Sequence, residues 1–587
     1  MRQSLFSLAA RGLALGLAAS ASAGELPWDN LSDTWVATDA LGRKVGWHQD
    51  PRPDRTIGIF YFLWLGPHVQ GGPWDITKIL AADPQALNKK DSPLWGPMHA
   101  PHHWGEPMFD YYLSDDEWVL RRHAQLLTDA GVDTVIFDTS NKLTYPRQYL
   151  ALMKAFMAER RAGNRTPAIA FLTPFWDPKT TVQQLWDDLY SKGLYQELWF
   201  RWEGKPLILA DVAKVNPELR SFFTWRRPEP SYFTGPSASN EWSWLEVYPQ
   251  HVFRNDRGEK EQMSVGVAQN AVAGKLAVLS HPQSLGRSYH GGQWESAPDA
   301  VLQGYNFAEQ WERALQEDPS FIFITGWNEW IAGRFDQFNG VTAPVMFVDQ
   351  FDQEHSRDIE PMKGGHFDNY YYQMADFIRR FKGSRKPPVS GSEKTIDLRL
   401  GFTQWNDVTP EFHDAKGDIY PRDHPGYNTS TRFVNTTGRN DLTLMKVARD
   451  RDHLFFYART AGPISDPTGP NWMLLFLDTD RNAQTGWHGY DFVVNRRIKD
   501  SQTTMVEQTR TGWNWQPKAE VKMVCQGNEL MIAIPRTLLG CQADPLEFEF
   551  KWADHLQNED RLEEFYLSGD AAPPGRFNYL FTTRRKD

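Results

Sequence analysis

The spacing of hydrophobic positions divides the chain into two regions. In residues 56–383, short apolar runs alternate with amphipathic stretches of helical spacing. The runs predict β-strands within segments 56–66, 132–141, 167–176, 205–212, 244–250, 263–270 and 320–330, and the amphipathic stretches predict helices at 114–131, 145–163, 180–193 and 297–319. Strands and helices that alternate in this way are typical of βαβ units. The region is long enough, with its extended loops, to predict a TIM-like (β/α)8 barrel.

The boundaries of the first long helix are predicted from capping residues. Ser114 precedes the apolar pattern and Glu117 follows three residues later, which is the spacing of a capping box. Gly131 follows the last residue of the pattern and predicts the end of the helix.

The pattern changes after a segment rich in proline, glycine and serine at 384–394, which we interpret as a linker. From 395 to 587, short apolar runs are separated by turns, and no helical spacing intervenes. This pattern predicts an antiparallel β-sandwich. The chain is therefore predicted to be an α/β protein in which a β-sandwich follows the barrel.

The N-terminus has the features of a secretory signal peptide. Arg2 and Arg11 give it positive charge, an apolar run follows at 13–19, and Ala21-Ser22-Ala23 is a small-residue cleavage signal. We expect cleavage after Ala23, a periplasmic or secreted protein, and a lead-in segment at 24–55. No later apolar run approaches the length of a membrane span, so we expect no membrane insertion.

Charge and composition narrow the choice of partner. The net charge of −11 argues against nucleic acid, which requires a basic surface. The chain has 25 tryptophans, and an indole stacks well on the apolar face of a sugar ring. Cys525 and Cys541 are the two cysteines, and in an oxidising compartment we expect them to form a disulfide. The sequence leaves the oligomeric state open.

The predicted barrel strands end in polar and aromatic residues. In a barrel of this kind the chemistry is located at the carboxyl ends of the strands. The residues at these ends are Trp64, Asp138, Asn141, Phe175, Trp176, Asp211, Glu246, Gln269, Asn270, Asn328 and Glu329. Carboxylates, amides and indoles suit a neutral ligand with many hydroxyl groups, so we expect a poly- or oligosaccharide.

The segment "FIFITGWNEW" carries a specific resemblance. A strand that ends in Trp327-Asn328-Glu329-Trp330, late in the barrel, resembles glycoside hydrolase families 71 and 99, and the second of these contains endo-acting α-mannosidases. Ile359-Glu360-Pro361 resembles a later element of the same motif. The resemblance implies that Glu329 is the first catalytic carboxylate. The second glutamate of the motif, which is the general acid in the family, is replaced by Ala332.

A glycosidase needs two carboxyl groups, one that protonates the leaving oxygen and one that acts as base or nucleophile. Glu329 is predicted to be the base or nucleophile of a retaining-type enzyme. The acid is open, and four candidates are ordered Asp138, Glu246, Glu360 and Glu106. Glu360 could occupy the place left at Ala332, and Glu106 lies in a long loop that could fold over the barrel mouth.

Further residues are predicted to bind the sugar. They are Trp64, His102, His103, Trp104, Glu106, Asn141, Trp176, Asn270, Trp327, Asn328 and Trp330. His99, His102 and His103 also suggest a metal site, but no helix fixes their spacing, so hydrogen bonding is the better interpretation. No cofactor is expected for catalysis.

The C-terminal region resembles carbohydrate-binding modules of family 9 in the stretch "FLDTDRNAQTGWHGYDFVVNR". Asp478 and Asp480 lie in the matching turn, and the resemblance suggests a Ca²⁺ site there. The alternative is a polar turn whose aspartates bond their own backbone.

We therefore expect a secreted glycoside hydrolase. Two other classes stay open. One is a carbohydrate-binding protein whose barrel has lost catalysis, which Ala332 favours. The other is a polysaccharide lyase, which the acidic chain makes less attractive because uronate substrates need a cationic site.

Overall fold

The computed structural model of the protein describes residues 28–584, apart from positions 67, 69, 429 and 468. The predicted signal peptide and its cleavage point lie outside the described residues. Among the helices of the described part, none is long and apolar enough to cross a membrane.

Eight parallel strands form the first region. Within the described residues they follow one another around the sheet in chain order. Each pairs with the next, except that the sixth does not pair with the seventh, and the eighth pairs with the first. In chain order they are Thr56–Tyr61, Thr134–Asp138, Ala168–Leu172, Lys205–Leu209, Thr224–Glu229, Glu241–Ser243, Lys260–Gly266 and Phe321–Thr325.

The sheet nearly closes into a barrel. The sixth and seventh strands form no backbone ladder with each other, and the short antiparallel strand Phe253–Arg254 lies beside the seventh. Asn240 N donates to Arg254 O at 3.0 Å, and Ser243 N donates to the Gln262 side chain at 3.0 Å. These bonds span the gap, so the fold is a TIM-like barrel in outline.

Helices do not follow every strand. In the described residues, α-helices follow the first, second, third, seventh and eighth strands, whereas the fourth to sixth are joined by 3₁₀ turns and irregular loops. The barrel helices are Ile76–Ala82, Glu117–Ala130, Pro146–Arg161, Lys179–Leu185, Ala300–Gln303, Tyr305–Glu317 and Asn369–Lys382. The predicted alternation of strands and helices is thus present in its coarse form.

Several predicted boundaries were wrong. Asp116, not Ser114, caps the helix Glu117–Ala130, because its carboxylate accepts from Trp118 N and Val119 N, whereas Ser114 Oγ accepts from Leu65 N. Gly131 ends this helix as expected, with φ 92°. The helix predicted at 297–319 breaks at Gly304, whose φ is 68°.

Two strands also differ from the prediction. The strand expected at 244–250 lies earlier, at Glu241–Ser243, and Thr224–Glu229 was not predicted. The latter contains Arg226, which is buried in an ion pair with Glu261 at 2.6 Å. A buried charge pair interrupts the apolar pattern by which strands are predicted, so hydrophobic periodicity could not predict the strand Thr224–Glu229.

A four-stranded sheet lies beside the eighth strand. Its strands are Val341–Phe347, Ile331–Phe338, Pro101–His103 and Trp74–Asp75, in that order. The strand Ile331–Phe338 begins directly after Trp330, so the "WNEW" segment connects the barrel to this sheet.

The second region is one antiparallel sheet that folds back on itself. Its strands, in order, are Glu411–His413, Leu442–Arg449, His453–Thr460, Glu529–Pro535, Gln516–Gln526, Thr503–Gln508, Phe492–Asp500, Leu474–Asp478, Glu547–Asp554 and Asp570–Ala572, with Tyr579–Thr582 beside Glu547–Asp554. The prediction of a second, antiparallel β region is thus confirmed in its coarse form.

The smaller elements complete the fold. Two-stranded ribbons pair Ala37–Thr38 with Lys44–Val45, Ala271–Val272 with Lys275–Leu276, Tyr289–His290 with Gln293–Trp294, and Arg422–Pro425 with Arg432–Asn435. Arg201–Trp202 pairs with the fourth barrel strand, and Arg536–Leu539 and Glu564–Leu567 are short helices.

The two regions share one buried core. Tyr372 on the last barrel helix packs on Phe577, with ring centres 5.1 Å apart. Arg576 is paired with the buried Asp368 at 2.8 Å. The core is therefore continuous across the junction, and the linker does not separate two independent bodies.

The expected disulfide is absent between the two cysteines, both of which lie in the described part of the chain. Cys525 and Cys541 are free thiols. Cys525 belongs to the strand Gln516–Gln526, whereas Cys541 follows the helix Arg536–Leu539 and points its Sγ at Leu539 O.

Candidate active site

The turn after the eighth strand fixes Glu329. Asn328 accepts a hydrogen bond from Phe62 N at 2.9 Å and donates to Phe62 O at 3.3 Å. Phe62 follows the first strand, so the turn is tied to the neighbouring strand end. Glu329 is thereby held at the carboxyl end of the barrel, and the residue is 7% exposed.

Glu329 is held by two side chains and one backbone bond. Arg357 Nη2 and Gln350 Nε2 each lie 3.1 Å from Glu329 Oε2. Glu329 N donates to Asp358 Oδ1 at 2.5 Å. Both side-chain bonds fall on one carboxylate oxygen, which leaves Oε1 free of these two partners.

The electrostatics of Glu329 combine opposing effects. Burial raises its pKa well above the ordinary value, and the positive Arg357 lowers it in part. The negative charges of Asp349, Asp358 and Asp138 raise the pKa further. Protonation of Glu329 is therefore sensitive to each neighbouring charge.

Asp138, the first acid candidate from the sequence, ends the second strand, and its charge acts on Glu329. It is 8% exposed and accepts a hydrogen bond from Ser140 N at 2.9 Å. Burial raises the pKa of Asp138, the charge of Asp349 raises it too, and Arg357 lowers it. No ion pair of Asp138 exists among the described residues, so it retains a proton more readily than a paired carboxylate.

Arg357 is the common partner in this cluster. Its side chain is 1% exposed and contacts Asp349 Oδ1 at 3.4 Å as well as Glu329. It also lies 3.4 Å from Asn270 Oδ1 and 5.5 Å above the Trp244 ring. A buried guanidinium that faces two carboxylates fixes their positions.

Aromatic rings lead from Arg357 to the surface. Trp244 contacts Tyr232 and Phe175, with ring centres 5.9 and 6.3 Å apart. Phe175 contacts Trp176 at 5.8 Å, and Trp176 is 72% exposed. This run of Trp244, Phe175 and Trp176, which we call the aromatic strip, offers faces on which a sugar can stack.

The indoles of the motif itself do not line the site. Trp327 and Trp330 are fully buried, and Trp330 stacks on Trp104 with ring centres 4.6 Å apart. Trp104 Nε1 donates to Asp358 Oδ2 at 2.8 Å. Trp104, Trp327 and Trp330 were predicted to contact the sugar, but they are core residues that pack behind Glu329. Asn328, which is bonded to Phe62, likewise positions the turn.

Glu360 is engaged inside the protein. Its carboxylate accepts from Trp330 Nε1 at 2.6 Å and from Tyr112 OH at 2.7 Å, and His123 Nε2 lies 2.9 Å away. Glu360 is fully buried. It does not move into the place of Ala332, which lies in an apolar cluster with Trp95 and Phe347.

Glu246 and Glu106 are also occupied by other groups. Both oxygens of the buried Glu246 bond to His251, through its backbone N and its Nδ1, at 2.8 Å each. Burial raises the pKa of Glu246 to about 8. Glu106 pairs with Lys78 and, at 2.9 Å, with Lys363, and these cations lower its pKa. Neither glutamate joins the group around Arg357.

The predicted histidines are buried. His102 and His103 are 0% and 1% exposed, and burial lowers the pKa values to about 4 and about 3. Both lie on the strand Pro101–His103, where His102 bonds Ala100 O at 2.9 Å. They are neutral core residues, and the sugar contacts predicted for them are not available.

The other predicted residues are spread around the strand ends. Trp64 is half-buried and packs on Phe62 with ring centres 4.6 Å apart. Asn141 is exposed and bonds Tyr145 OH. Asn270 is 2% exposed and contacts Arg357.

Sequence reasoning missed the groups that hold Glu329. The missed residues lie between the strand Val341–Phe347 and Pro361, where the sequence suggested only the element Ile359-Glu360-Pro361; they are Asp349, Gln350, Arg357 and Asp358. The signal that could have found two of them is Arg357-Asp358, a charged pair directly before the Ile-Glu-Pro element.

The acidic turn of the second domain is formed as expected. Oxygens of Asp478, Asp480 and Asp491 all lie within 4.8 Å of one another. Each also bonds local groups, because Asp478 accepts from Arg481 N, Asp480 from Asn482 N and Asp491 from Thr479 N. The turn therefore fits both a hard cation and a self-bonded polar turn.

Comparisons with known proteins find similar solved structures but no matching family or curated sequence. No protein-family model and no curated protein matches the sequence. Among solved structures, the chain is similar to two structures of the GH99 endo-alpha-mannosidase from Bacteroides thetaiotaomicron. One of these is a complex with bis-tris propane. Each match has 15% identity and a TM-score of 0.33, and it covers 56% of this chain and 98% of the other.

Proposed function

We propose that the protein is a glycoside hydrolase that cleaves a neutral poly- or oligosaccharide, with Glu329 and Asp138 as its two carboxyl groups. The observation that carries the proposal is the charge cluster at the carboxyl ends of the strands. In that cluster the buried Arg357 contacts Glu329 and Asp349, the charge of Asp138 acts on Glu329, and the aromatic strip leads from Arg357 to the surface.

The two carboxyl groups are suited to different roles. Ionised Glu329 is stabilised by Arg357 and Gln350, so it suits the base or nucleophile. Asp138 has no direct cation partner in the described chain, so no ion pair opposes its protonated form and it suits the group that protonates the leaving oxygen. The difference in pairing separates acid from base without a second glutamate at position 332.

The substrate class follows from the walls of the site. Trp176 and Phe175 supply apolar ring faces, and Asp349, whose side chain is 46% exposed, supplies a hydrogen-bonding group. The two carboxyl groups bring negative charge, and Arg357 is already occupied by Glu329 and Asp349. A neutral glycan fits this arrangement better than a polyanion.

The test is release of reducing ends from a panel of neutral polysaccharides. Wild type is compared with Glu329→Gln and with a matched control, Glu246→Gln, whose carboxylate bonds His251 instead. We expect Glu329→Gln to lose at least about 10³-fold in kcat/KM while Glu246→Gln stays near wild type, because Glu329, unlike Glu246, acts on the substrate in the transition state.

Other outcomes would favour the rival classes. Glycan binding without release by wild type would identify a carbohydrate-binding protein. An unsaturated product on uronate polymers would identify a lyase. An active Glu329→Gln variant would assign the chemistry to another carboxylate.

We also propose that the protein is secreted or periplasmic, on the basis of the N-terminal sequence. The acidic turn formed by Asp478, Asp480 and Asp491 is proposed to bind Ca²⁺, since three carboxylates within reach of one ion offer the oxygen ligands that Ca²⁺ prefers. Asp480→Asn should reduce the rise in melting temperature on adding Ca²⁺, measured by scanning calorimetry. An undiminished rise would favour the self-bonded turn.

A further inference from the structure

A second group of carboxylates lies where the antiparallel domain meets the barrel, outside the candidate active site. Oxygens of Asp414, Asp418 and Asp570 all lie within 4.8 Å of one another. Asp414 and Asp418 belong to the loop after the strand Glu411–His413, and Asp570 begins the strand Asp570–Ala572. Three carboxylates from two distant segments thus converge on one point.

These carboxylates lack partners. Asp414 is fully buried, and neither of its carboxylate oxygens has a hydrogen-bond partner in the described part of the protein. One oxygen each of Asp418 and Asp570 is also without a partner there. The remaining oxygens accept from Gln125 Nε2 at 3.0 Å and from Leu442 N at 2.6 Å. Buried polar groups of folded proteins almost always form hydrogen bonds, so the unpartnered carboxylate oxygens need an explanation.

The protein supplies little positive charge to the group. Arg122 lies 3.7 Å from Asp418, at the limit of an ion pair. The buried Lys551 is near enough to interact electrostatically with Asp414, but its Nζ donates its hydrogen bonds to the carbonyls of Pro573 and Phe577. Burial and the charges of Asp418 and Asp570 raise the pKa of Asp414 well above its ordinary value. Three carboxylates this close are stable only when protons or a cation neutralise them.

Shared protons are the alternative to a cation. A neutral carboxyl group can donate its O–H to a neighbouring carboxylate, and a hydrogen bond of this kind links Asp418 with Asp570. Asp414 has no such partner for either oxygen among the described residues. A hard divalent cation accepts ligands from several carboxylate oxygens at once and removes the repulsion between them. It therefore satisfies the free oxygens of all three aspartates.

We propose that Asp414, Asp418 and Asp570 bind a divalent cation of the Ca²⁺ type. The cation links the two regions of the chain, because the Asp418 loop is bonded to the barrel. Asn164 exchanges hydrogen bonds with the backbone of Lys416 at 2.8 and 2.9 Å, and Gln125 bonds Asp418. Asp570 anchors the other side in the antiparallel sheet. The site is structural and holds the second domain against the barrel.

The test measures Ca²⁺ bound to the full chain. The background is the double variant Asp478→Asn/Asp480→Asn, which removes the acidic turn as a competing site. This protein is stripped with EDTA, dialysed against Ca²⁺ and analysed for metal by mass spectrometry, with and without Asp414→Asn. We expect one Ca²⁺ per chain in the background and none after Asp414→Asn, together with a Ca²⁺-dependent rise in melting temperature only in the background.

Two results would overturn the proposal. The first is a background protein that binds no Ca²⁺ and whose melting temperature Ca²⁺ leaves unchanged; the carboxylates would then be protonated. The second is an Asp414→Asn protein that still binds one Ca²⁺. Should Asp414→Asn fail to fold, the stoichiometry and Ca²⁺-dependent melting of the background decide the matter by themselves.

Discussion

At the scale of single residues, Arg357 controls the protonation state of Glu329. A carboxyl group as buried as Glu329 favours its neutral form, and the guanidinium 3.1 Å away favours the charged form. The balance between them sets the pH at which Glu329 ionises. Gln350 bonds the same oxygen and Arg357 N bonds the Gln350 side chain, so the three residues form one unit.

The first prediction removes this cation. Arg357→Met should lower kcat/KM by about 10²-fold or more and move the acidic limb of the pH–rate profile to higher pH. The reason is that Glu329 without its cation has a higher pKa and ionises later. A pH–rate profile on the most reactive glycan of the panel measures the shift.

Arg357→Lys is the matched control, since it keeps a positive charge while losing the second contact to Asp349. Its acidic limb should stay closer to wild type than that of Arg357→Met. An unshifted limb in Arg357→Met would mean that Glu329 does not control the acidic limb.

The second prediction concerns Trp176, which is 72% exposed at the end of the aromatic strip. Trp176→Ala should raise KM by about tenfold, the equivalent of roughly 1.4 kcal/mol, and leave kcat and stability nearly unchanged. Steady-state kinetics measure this, with Trp294→Ala, another exposed tryptophan, as control. Equal KM values for the two variants would remove the strip from substrate binding.

At the scale of elements, the chain shows which features periodicity can predict. The apolar runs that form most of the barrel strands were recognisable, and so was the change to short antiparallel strands after the linker. The strand Thr224–Glu229 was not, because the buried Arg226–Glu261 pair hides its apolar face. Glu329 and Asp138 became candidates because each follows a predicted barrel strand, and barrel enzymes carry their chemistry at the carboxyl ends of the strands.

The neighbours of these two residues could not be predicted. Asp349 and Arg357 reach Glu329 through loops whose path depends on tertiary packing. For the same reason the sugar contacts predicted for Trp327 and Trp330 were wrong. Both indoles face the core, although Glu329 lies between them in the sequence. Local sequence gives the strand end but not the direction of each side chain beyond it.

The third prediction concerns the loop after the sixth strand, where Glu246 is buried against His251. Its pKa is about 8 in the folded protein and near 4.5 in an unfolded chain, so the folded state binds the extra proton between these pH values. The free energy of unfolding should therefore fall as pH rises from about 4.5 to 8, by a contribution on the order of 5 kcal/mol, since one pKa unit is worth about 1.4 kcal/mol.

Glu246→Gln should remove this contribution, because glutamine does not titrate. Urea unfolding of wild type and variant at pH 5 and pH 8 measures the difference. The two proteins should differ more in stability at pH 8 than at pH 5, in favour of the variant. The same dependence on pH in both would show that Glu246 does not cause it.

At the scale of the whole molecule, the two regions form one unit in which the antiparallel domain supports the barrel. The last barrel helix packs its tyrosines against Phe577, and Arg422 of the second region is paired with the buried Asp116 at 2.9 Å. Asp116 also caps the helix that follows the first strand, so the second domain stabilises the start of a barrel helix. The domain therefore has a structural role whether or not it binds sugar.

The central claim is that Glu329 and Asp138 share the work of cleaving a glycosidic bond, Glu329 as base or nucleophile and Asp138 as acid. The most direct measurement compares kcat/KM of wild type, Asp138→Asn and Glu329→Gln on two matched glycosides, one with a poor and one with a good leaving group. A good leaving group needs little protonation, so loss of the acid matters less for it. We predict that Asp138→Asn is nearly restored on the activated glycoside while Glu329→Gln stays at least about 10³-fold below wild type on both. Restoration of Glu329→Gln, or equal losses of Asp138→Asn on the two glycosides, would contradict the assignment.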